Sequence, residues 1–517
     1  MTSRPSAPHP EPLVAPPAAS AKSPGTWLVI PAVLLVSVLA ISGRSLWIDE
    51  ACTAMKVLPD SLSAWWIVFS QDRSADLQMP LYMFYMWGWC RLFGTSEWSL
   101  HAANAPWFVL GVTSLALAFP ANDRRRLAVV TIALLCPFAW YYLDEARPYS
   151  MQLGAALLTA GGLIRLQRLT SASTGSTGAR GAGPIAAFAL GISVLSGSSL
   201  TGMIWAGGAL LALPAALSFR TTLGLLRGHW QIWAAAGVFL ALFALFYLWT
   251  LTLGARASAS ATTTLGSSAF IAYELLGFSG LGPGRLDLRV AGAAALKPFL
   301  PWLALYAAGL ILVLGEGLRE ILKRHDRRVW FVALCSAAPA AFILLVGVVA
   351  HFRALGRHFT PLLSVVLLLL GLGLAQLWSR RRAWSTCLAF VFCGLSLASC
   401  LSLRLASHHQ KDNYRAAAAA ARNALSHGKL VWWNAAVEGA RYYHVPLSGS
   451  PGDPPAAVPV LNPTPAMLAQ LPRPQVVVAS KPDVYDGASA LGSYLRSNQF
   501  TPAASLTAFV IWKPTEP

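Results

Sequence analysis

Long apolar stretches alternate with short polar ones from Trp27 to Leu403, and they are too long to be strands. A helix needs about 20 apolar residues to cross a bilayer. On that measure the chain predicts eleven spans. They cover 27–42, 97–120, 127–142, 149–166, two within 184–217 broken near Gly197–Ser199, 230–251, 298–318, 329–350, 361–378 and 384–403. Residues 61–69, with Trp65 and Trp66, suit a helix lying in the membrane interface. Residues 80–93 are apolar but short, so an interfacial or re-entrant helix is expected there. Residues 1–26 are rich in Pro, Ala and Ser and predict a disordered cytoplasmic tail. From Arg404 the pattern changes. A helix over 413–427, capped by Asp412, strands over 430–433, 475–479 and 508–512, and a helix near 488–497 predict a small α/β domain. The division is therefore tail 1–26, membrane domain 27–403 and outer domain 404–517.

Composition supports a lipid solvent. Of 517 residues, 56% are hydrophobic and 12% charged, and mean hydropathy is +0.54. A soluble chain carries about 25% charged residues. The net charge of +18 would suggest nucleic acid in a soluble protein. Here the basic residues sit in short loops, and no groove-reading element accompanies them. With the N terminus in the cytoplasm and 80–93 not crossing, Arg124–Arg126, Arg165, Arg168, Arg220, Arg227, the 323–328 cluster and Arg380–Arg382 fall on one side. The positive-inside rule requires that arrangement. The C-terminal region is then extracytoplasmic, in a multi-pass protein of the cell (inner) membrane. Five of the seven cysteines lie inside apolar stretches, without metal-ligand spacing, which argues against a disulfide framework.

Charged residues near hydrocarbon are costly and are often functional. The first group is Asp49-Glu50, just beyond the first span. The second is Asp144-Glu145-Ala146-Arg147, on the same face by this topology. Convergence of the two favours a site, while an internal pair of Glu145 with Arg147 is the plainer reading. The third is the basic loop His351-Phe352-Arg353-Ala354-Leu355-Gly356-Arg357-His358. It lies on the side where basic residues should be scarce, and arginine forks match phosphate geometry. A fourth segment, 273–285, carries four glycines and reads either as a lid or as a connector. Phosphate-loop, metalloprotease, serine-hydrolase and dinucleotide motifs are absent, as is any Asp-x-Asp metal clamp.

Together these pieces resemble bacterial lipid-linked-sugar glycosyltransferases of the GT-C superfamily. The similarity is to glycosyltransferase family 39 (protein mannosyltransferase-like) and to the aminoarabinose transferases. It rests on residues 45–53, Pro80-Leu81-Tyr82, Ser96-Glu97, 145–149, 357–361 and Lys411-Asp412-Asn413-Tyr414-Arg415-Ala416. The resemblance implies an all-α polytopic GT-C fold, a polyprenyl-phosphate sugar donor and a lipid, glycan or protein acceptor. It implies Asp49 as general base, Glu50 and Glu145 as orienting carboxylates, and Arg147, Arg353, Arg357 and His358 around the donor phosphate. Asp144, Tyr82, His101 and His351 become candidate substrate contacts. No metal or other cofactor is required by this chemistry. The chain departs from the family pattern at Gln78-Met79, His101 and Gly197-Ser198, which bears on donor and acceptor identity. A transporter for lipid-linked saccharides, a glycan polymerase or ligase, and a non-catalytic scaffold remain alternative expectations.

Overall fold

A computed structural model describes residues 28–172, 181–253, 262–323, 327–448 and 456–515. The tail predicted over 1–26 lies outside the described residues, as do parts of the loops after residues 172 and 253.

All eleven predicted stretches are helical. Among the described residues seven helices are long and apolar enough to cross a membrane, or eight if one bent pair is a single span. That pair, Arg124–Leu134 and Pro137–Leu143, bends by 51°. The bend falls where Pro137 lacks the N–H that would continue the first helix. Val29–Ala40 and Ala182–Ser198 are apolar but shorter. Tyr149–Ala172 is long, but carries Gln152, Arg165, Gln167 and Arg168. The break predicted near 197–199 falls at Ser199, between Ala182–Ser198 and Leu200–Leu217. Its hydroxyl accepts the Gly202 N–H and caps the second helix. Residues 80–93 form the helix Pro80–Phe93, about 21 Å long at the α-helical rise, against a hydrocarbon core of about 30 Å.

The outer surface of this bundle is apolar. Leu242, Leu245 and Leu248 on the Trp230–Thr252 helix are each more than half exposed. Such a surface is stable in hydrocarbon and not in water. Inside, small residues let backbones approach closely. Gly154 on Tyr149–Ala172 lies against the Ala105–Leu117 helix, where an added Cβ would sit 2.3 Å from the Trp107 carbonyl oxygen.

The C-terminal region holds a five-stranded sheet, formed by β1 (Val431–Asn434), β2 (Val458–Pro459), β3 (Val476–Ser480), β4 (Phe500–Leu506) and β5 (Phe509–Pro514). The order is β2-β1-β3-β5-β4; the first three are parallel, and β5 and β4 join antiparallel. Side chains alternate across the sheet. Trp433 packs with Tyr414, Val478 and Phe509 on one face, and Trp432 with Val477, Leu491 and Leu495 on the other. Both tryptophans are fully buried, so they belong to the core. The predicted helix 413–427 appears as Tyr414–Ser426, but its cap is Asn413, whose Oδ1 accepts the Ala416 N–H at 3.1 Å. Asp412 instead pairs with Lys481.

Candidate active site

The first acidic pair opens the helix Ile48–Lys56, which follows an extended Trp47. Glu50 reaches back to accept the Trp47 N–H at 3.1 Å, which satisfies a donor that a helix start leaves free. Both carboxylates lie in the first turn, at the positive end of the helix dipole. Glu50 is fully buried, whereas the Asp49 side chain is 29% exposed.

The second acidic motif is the turn between Pro137–Leu143 and Tyr149–Ala172. Asn104 fixes its backbone, with Nδ2 donating to the carbonyls of Tyr142 and Leu143 at 3.2 Å and of Glu145 at 2.5 Å. Glu50 Oε1 accepts the Ala146 N–H at 2.8 Å, joining two motifs 96 positions apart. The predicted convergence is therefore present.

Glu50 is the hub. Its oxygens meet His101 Nε2 at 2.9 Å and Lys411 Nζ at 3.0 and 3.2 Å. Burial alone would raise its carboxyl, but Lys411 and His101 override that and hold it well below the usual carboxylate range. His101 Nδ1 is 2.6 Å from the Ser42 carbonyl oxygen. Asp144 accepts the Ser42 N–H at 2.6 Å and its hydroxyl at 2.9 Å. These contacts tie His101 and Asp144 to the end of the first helix.

Glu145 differs. It is fully buried, it faces the Tyr141 side chain, and among the described residues its nearest cation is Arg285 at 3.8 Å. Burial pushes its carboxyl up to about 7, against the pull of Arg285 and Lys411 and with repulsion from Glu50 adding to the rise. A folded-state value above the unfolded one stabilises the fold most below the unfolded value of about 4.3, and the benefit disappears as pH rises through about 7. Glu145→Gln is accordingly expected to melt progressively higher than wild type as pH increases from about 5 to about 8. Parallel melting curves at all pH values would contradict the assignment.

Arg147 does not pair with Glu145. Its Nη1 lies 2.6 Å from Asp76 Oδ1 and 2.9 Å from Thr53 Oγ1, and it donates to the Asp49 carbonyl at 3.2 Å. Asp76 in turn bonds Lys56 at 2.7 Å. Arg147 and Asp76 are both about 95% buried. Removing one partner of a buried pair leaves an uncompensated charge, so Asp76→Ala is expected to cost about 3–5 kcal/mol. A detergent thermal melt checks this. A melting temperature equal to wild type would show the pair to be dispensable.

The basic loop supplies a short 3-10 helix, Gly356–Leu362. Glu274 Oε2 accepts the Gly356 N–H at 3.2 Å, where an added Cβ would fall 2.4 Å from the same oxygen. Arg357 Nη1 reaches Asp49 Oδ2 at 3.2 Å. Its Nε is buried without a hydrogen bond, and its guanidinium lies 5.8 Å from the Tyr149 ring centroid. His358 accepts the Leu355 N–H through Nδ1 at 3.0 Å. Arg353 and His351 are exposed. Tyr82 is fully buried and its hydroxyl is unpaired.

The chain alone assigns no site role to three participants: Asp76, Lys411, which enters only as part of the 411–416 motif, and Arg285, at the end of the 273–285 segment. Arg285 stacks over Tyr141 at 4.0 Å, donates to the Tyr142 hydroxyl at 3.0 Å and pairs with Glu274. The glycine segment that holds it is tightly turned. Gly277 has a φ of 87°, and Gly280 lies against the Ser399 backbone. A cavity of about 190 Å³ opens here, lined by Trp47, Tyr141, Glu274, Arg285, Lys411 and Asp412 among others. Among the described residues no group of three His, Cys, Asp or Glu side chains is placed to hold a metal ion.

No protein-family model and no curated protein matches the chain. The architecture does match solved structures. ArnT from Cupriavidus metallidurans in the apo state superposes with a TM-score of 0.55 at 14% identity, over 94% of this chain and 97% of that one. The same protein bound to undecaprenyl phosphate gives 0.50 at 14% identity, over 95% and 98%. The chain thus shares the overall fold of these structures, mostly helical with a small C-terminal sheet region.

Proposed function

We propose that this protein is a membrane glycosyltransferase that moves a sugar from a polyprenyl-phosphate donor to an acceptor hydroxyl on the extracytoplasmic face. The observation that carries the reading is the pair Asp49–Arg357. A partly exposed carboxylate stands 3.2 Å from a guanidinium brought in from 308 positions away. Asp49 takes the acceptor proton as the new glycosidic bond forms, while the bond from the anomeric carbon to the phosphate oxygen breaks on the opposite side. One displacement inverts the anomeric centre.

Arg357 meets the charge that develops on the leaving phosphate. Arg353 stands in the same loop, and no hydrogen bond or ion pair joins it to a described residue. Arg147 is committed to Asp76, so its part is to hold the Asp49 backbone. Glu145, buried beside Tyr141 and Arg285, is placed to orient a sugar hydroxyl. His358 contributes by shaping the loop, where its Nδ1 accepts the Leu355 N–H.

Two further observations support a lipid donor. An apolar cavity of about 170 Å³, lined by Leu163, Leu195, Trp205, Leu362 and Leu368 among others, adjoins the Arg357–His358 turn. The indole of Trp205 donates to the His358 carbonyl at 3.0 Å, which links cavity and turn. The structurally similar ArnT is described as binding undecaprenyl phosphate. The orientation follows the loop charges. With Arg124–Arg126 and Arg380–Arg382 in the cytoplasm, the acidic motifs and the C-terminal sheet lie outside. Purified protein is expected to bind undecaprenyl phosphate at least about tenfold more tightly than undecaprenol, a difference of about 1.4 kcal/mol. Equal affinity in tryptophan-fluorescence titrations would remove the phosphate from the account.

A further inference from the structure

The two acidic motifs meet directly at one hydrogen bond, from the Ala146 N–H to Glu50 Oε1. A third segment bridges them. Lys411 follows the Ala383–Leu405 helix and leads into the C-terminal sheet. Its Nζ meets Glu50 Oε1 at 3.0 Å and Oε2 at 3.2 Å, and it donates to the Asp144 carbonyl. His101 Nε2 lies 3.5 Å from the same ammonium, so its surroundings are the Glu50 carboxylate, the Asp144 carbonyl and the His101 ring. The side chain is 7% exposed and Glu50 is fully buried. Lys411 is thus held by groups of the protein itself where it borders the 190 Å³ cavity.

The surrounding contacts repeat the pattern. Arg415 binds Glu97 and the Gly43 carbonyl, and the Tyr443 hydroxyl accepts the Leu46 N–H at 2.9 Å. Ile48 packs against the core of the sheet. Next to Lys411, Asp412 pairs with Lys481 just past β3. The turn that presents Asp49 is thus seated on the C-terminal region from several sides.

We propose that Lys411 is a positioning residue for transfer: its ammonium staples the Asp49-Glu50 turn to the 144–147 loop, which makes the C-terminal region part of the active site. This rests on the transferase reading. Loss of the staple leaves Asp49 chemically intact but free to shift relative to Glu145 and Arg357. Misplacement of about 1 Å can cost about 10²-fold in rate.

The test uses full-length protein with Lys411→Met, Lys411→Arg, Glu50→Gln and the double variant Lys411→Met/Glu50→Gln. Transfer kinetics and hydrogen–deuterium exchange of the 42–56 and 141–150 peptides are measured on each. Lys411→Met is expected to lower kcat about 10- to 100-fold with donor KM nearly unchanged, and to speed exchange in both peptides. Lys411→Arg should recover most of both properties. In the Glu50→Gln background the Met substitution should add little, because coupled residues are non-additive. Wild-type exchange and kcat in Lys411→Met would overturn the proposal, as would a raised KM with kcat unchanged. A wild type inert towards every donor would instead remove the transferase reading, and exchange would still decide the staple.

Discussion

Asp49→Asn is expected to lower sugar transfer by about 10²–10⁴-fold, the range of a lost general base, while the protein stays folded. The two halves of this result come from different features of one residue. Asp49 is 29% exposed and makes one ion pair, with Arg357. A pair of that kind contributes roughly 0–1 kcal/mol to stability, so the melting temperature should barely move. Glu50 provides the contrast. It is fully buried and receives His101, Lys411 and two backbone N–H groups. Glu50→Gln should therefore lose stability as well as rate. Kinetics and melts on both variants separate the roles. If Asp49→Asn transfers at the wild-type rate, the base lies elsewhere.

The second large effect is expected at Arg357. Arg357→Gln should reduce kcat/KM for the donor by about 10²–10³-fold, the cost of removing one fixed group that opposes developing charge. In the resting site its Nη1 faces Asp49 and its Nε is buried without a partner, which leaves fork capacity for a phosphate. Lysine at this position should restore little, because an ammonium is a point charge and does not present two parallel donors. On this reading the pair also links donor binding to proton transfer. A phosphate that draws Arg357 away frees the Asp49 carboxylate as the donor arrives. Steady-state kinetics with varied donor check this, and an unchanged kcat/KM for Arg357→Gln would exclude it.

The chain shows its membrane architecture because hydrocarbon imposes a length and a polarity on every span. The eleven helical stretches and the break at Ser199 follow from that constraint alone. The sheet was legible where β-branched and aromatic residues run together, as in β1, β3 and β5. It was not legible in β2, which has two residues, or in β4, an edge strand with Pro502 and mostly exposed side chains. At the site, Asp49, Glu50, Glu145 and Arg357 stood out because charge beside hydrocarbon is rare.

Their partners did not stand out. Asp76 lies among ordinary polar residues, and Lys411 and Arg285 belong to segments whose pattern gives neither cation a role. Each gains its meaning from a contact far along the chain: 71 positions for Asp76 with Arg147, and 361 for Lys411 with Glu50. Sequence proximity suggested Glu145 for Arg147, but packing placed Asp76 there. His101 and Asp144 likewise turned out to be tied to Ser42, a link that no local pattern encodes.

The most direct test of the central claim is transfer by purified wild-type protein from a panel of radiolabelled polyprenyl-phosphate sugars, with envelope lipids and glycans supplied as acceptors. At least one donor is expected to yield a labelled product with inverted anomeric configuration, together with free polyprenyl phosphate. Folded protein that binds the lipid phosphate yet transfers sugar from no donor would contradict it.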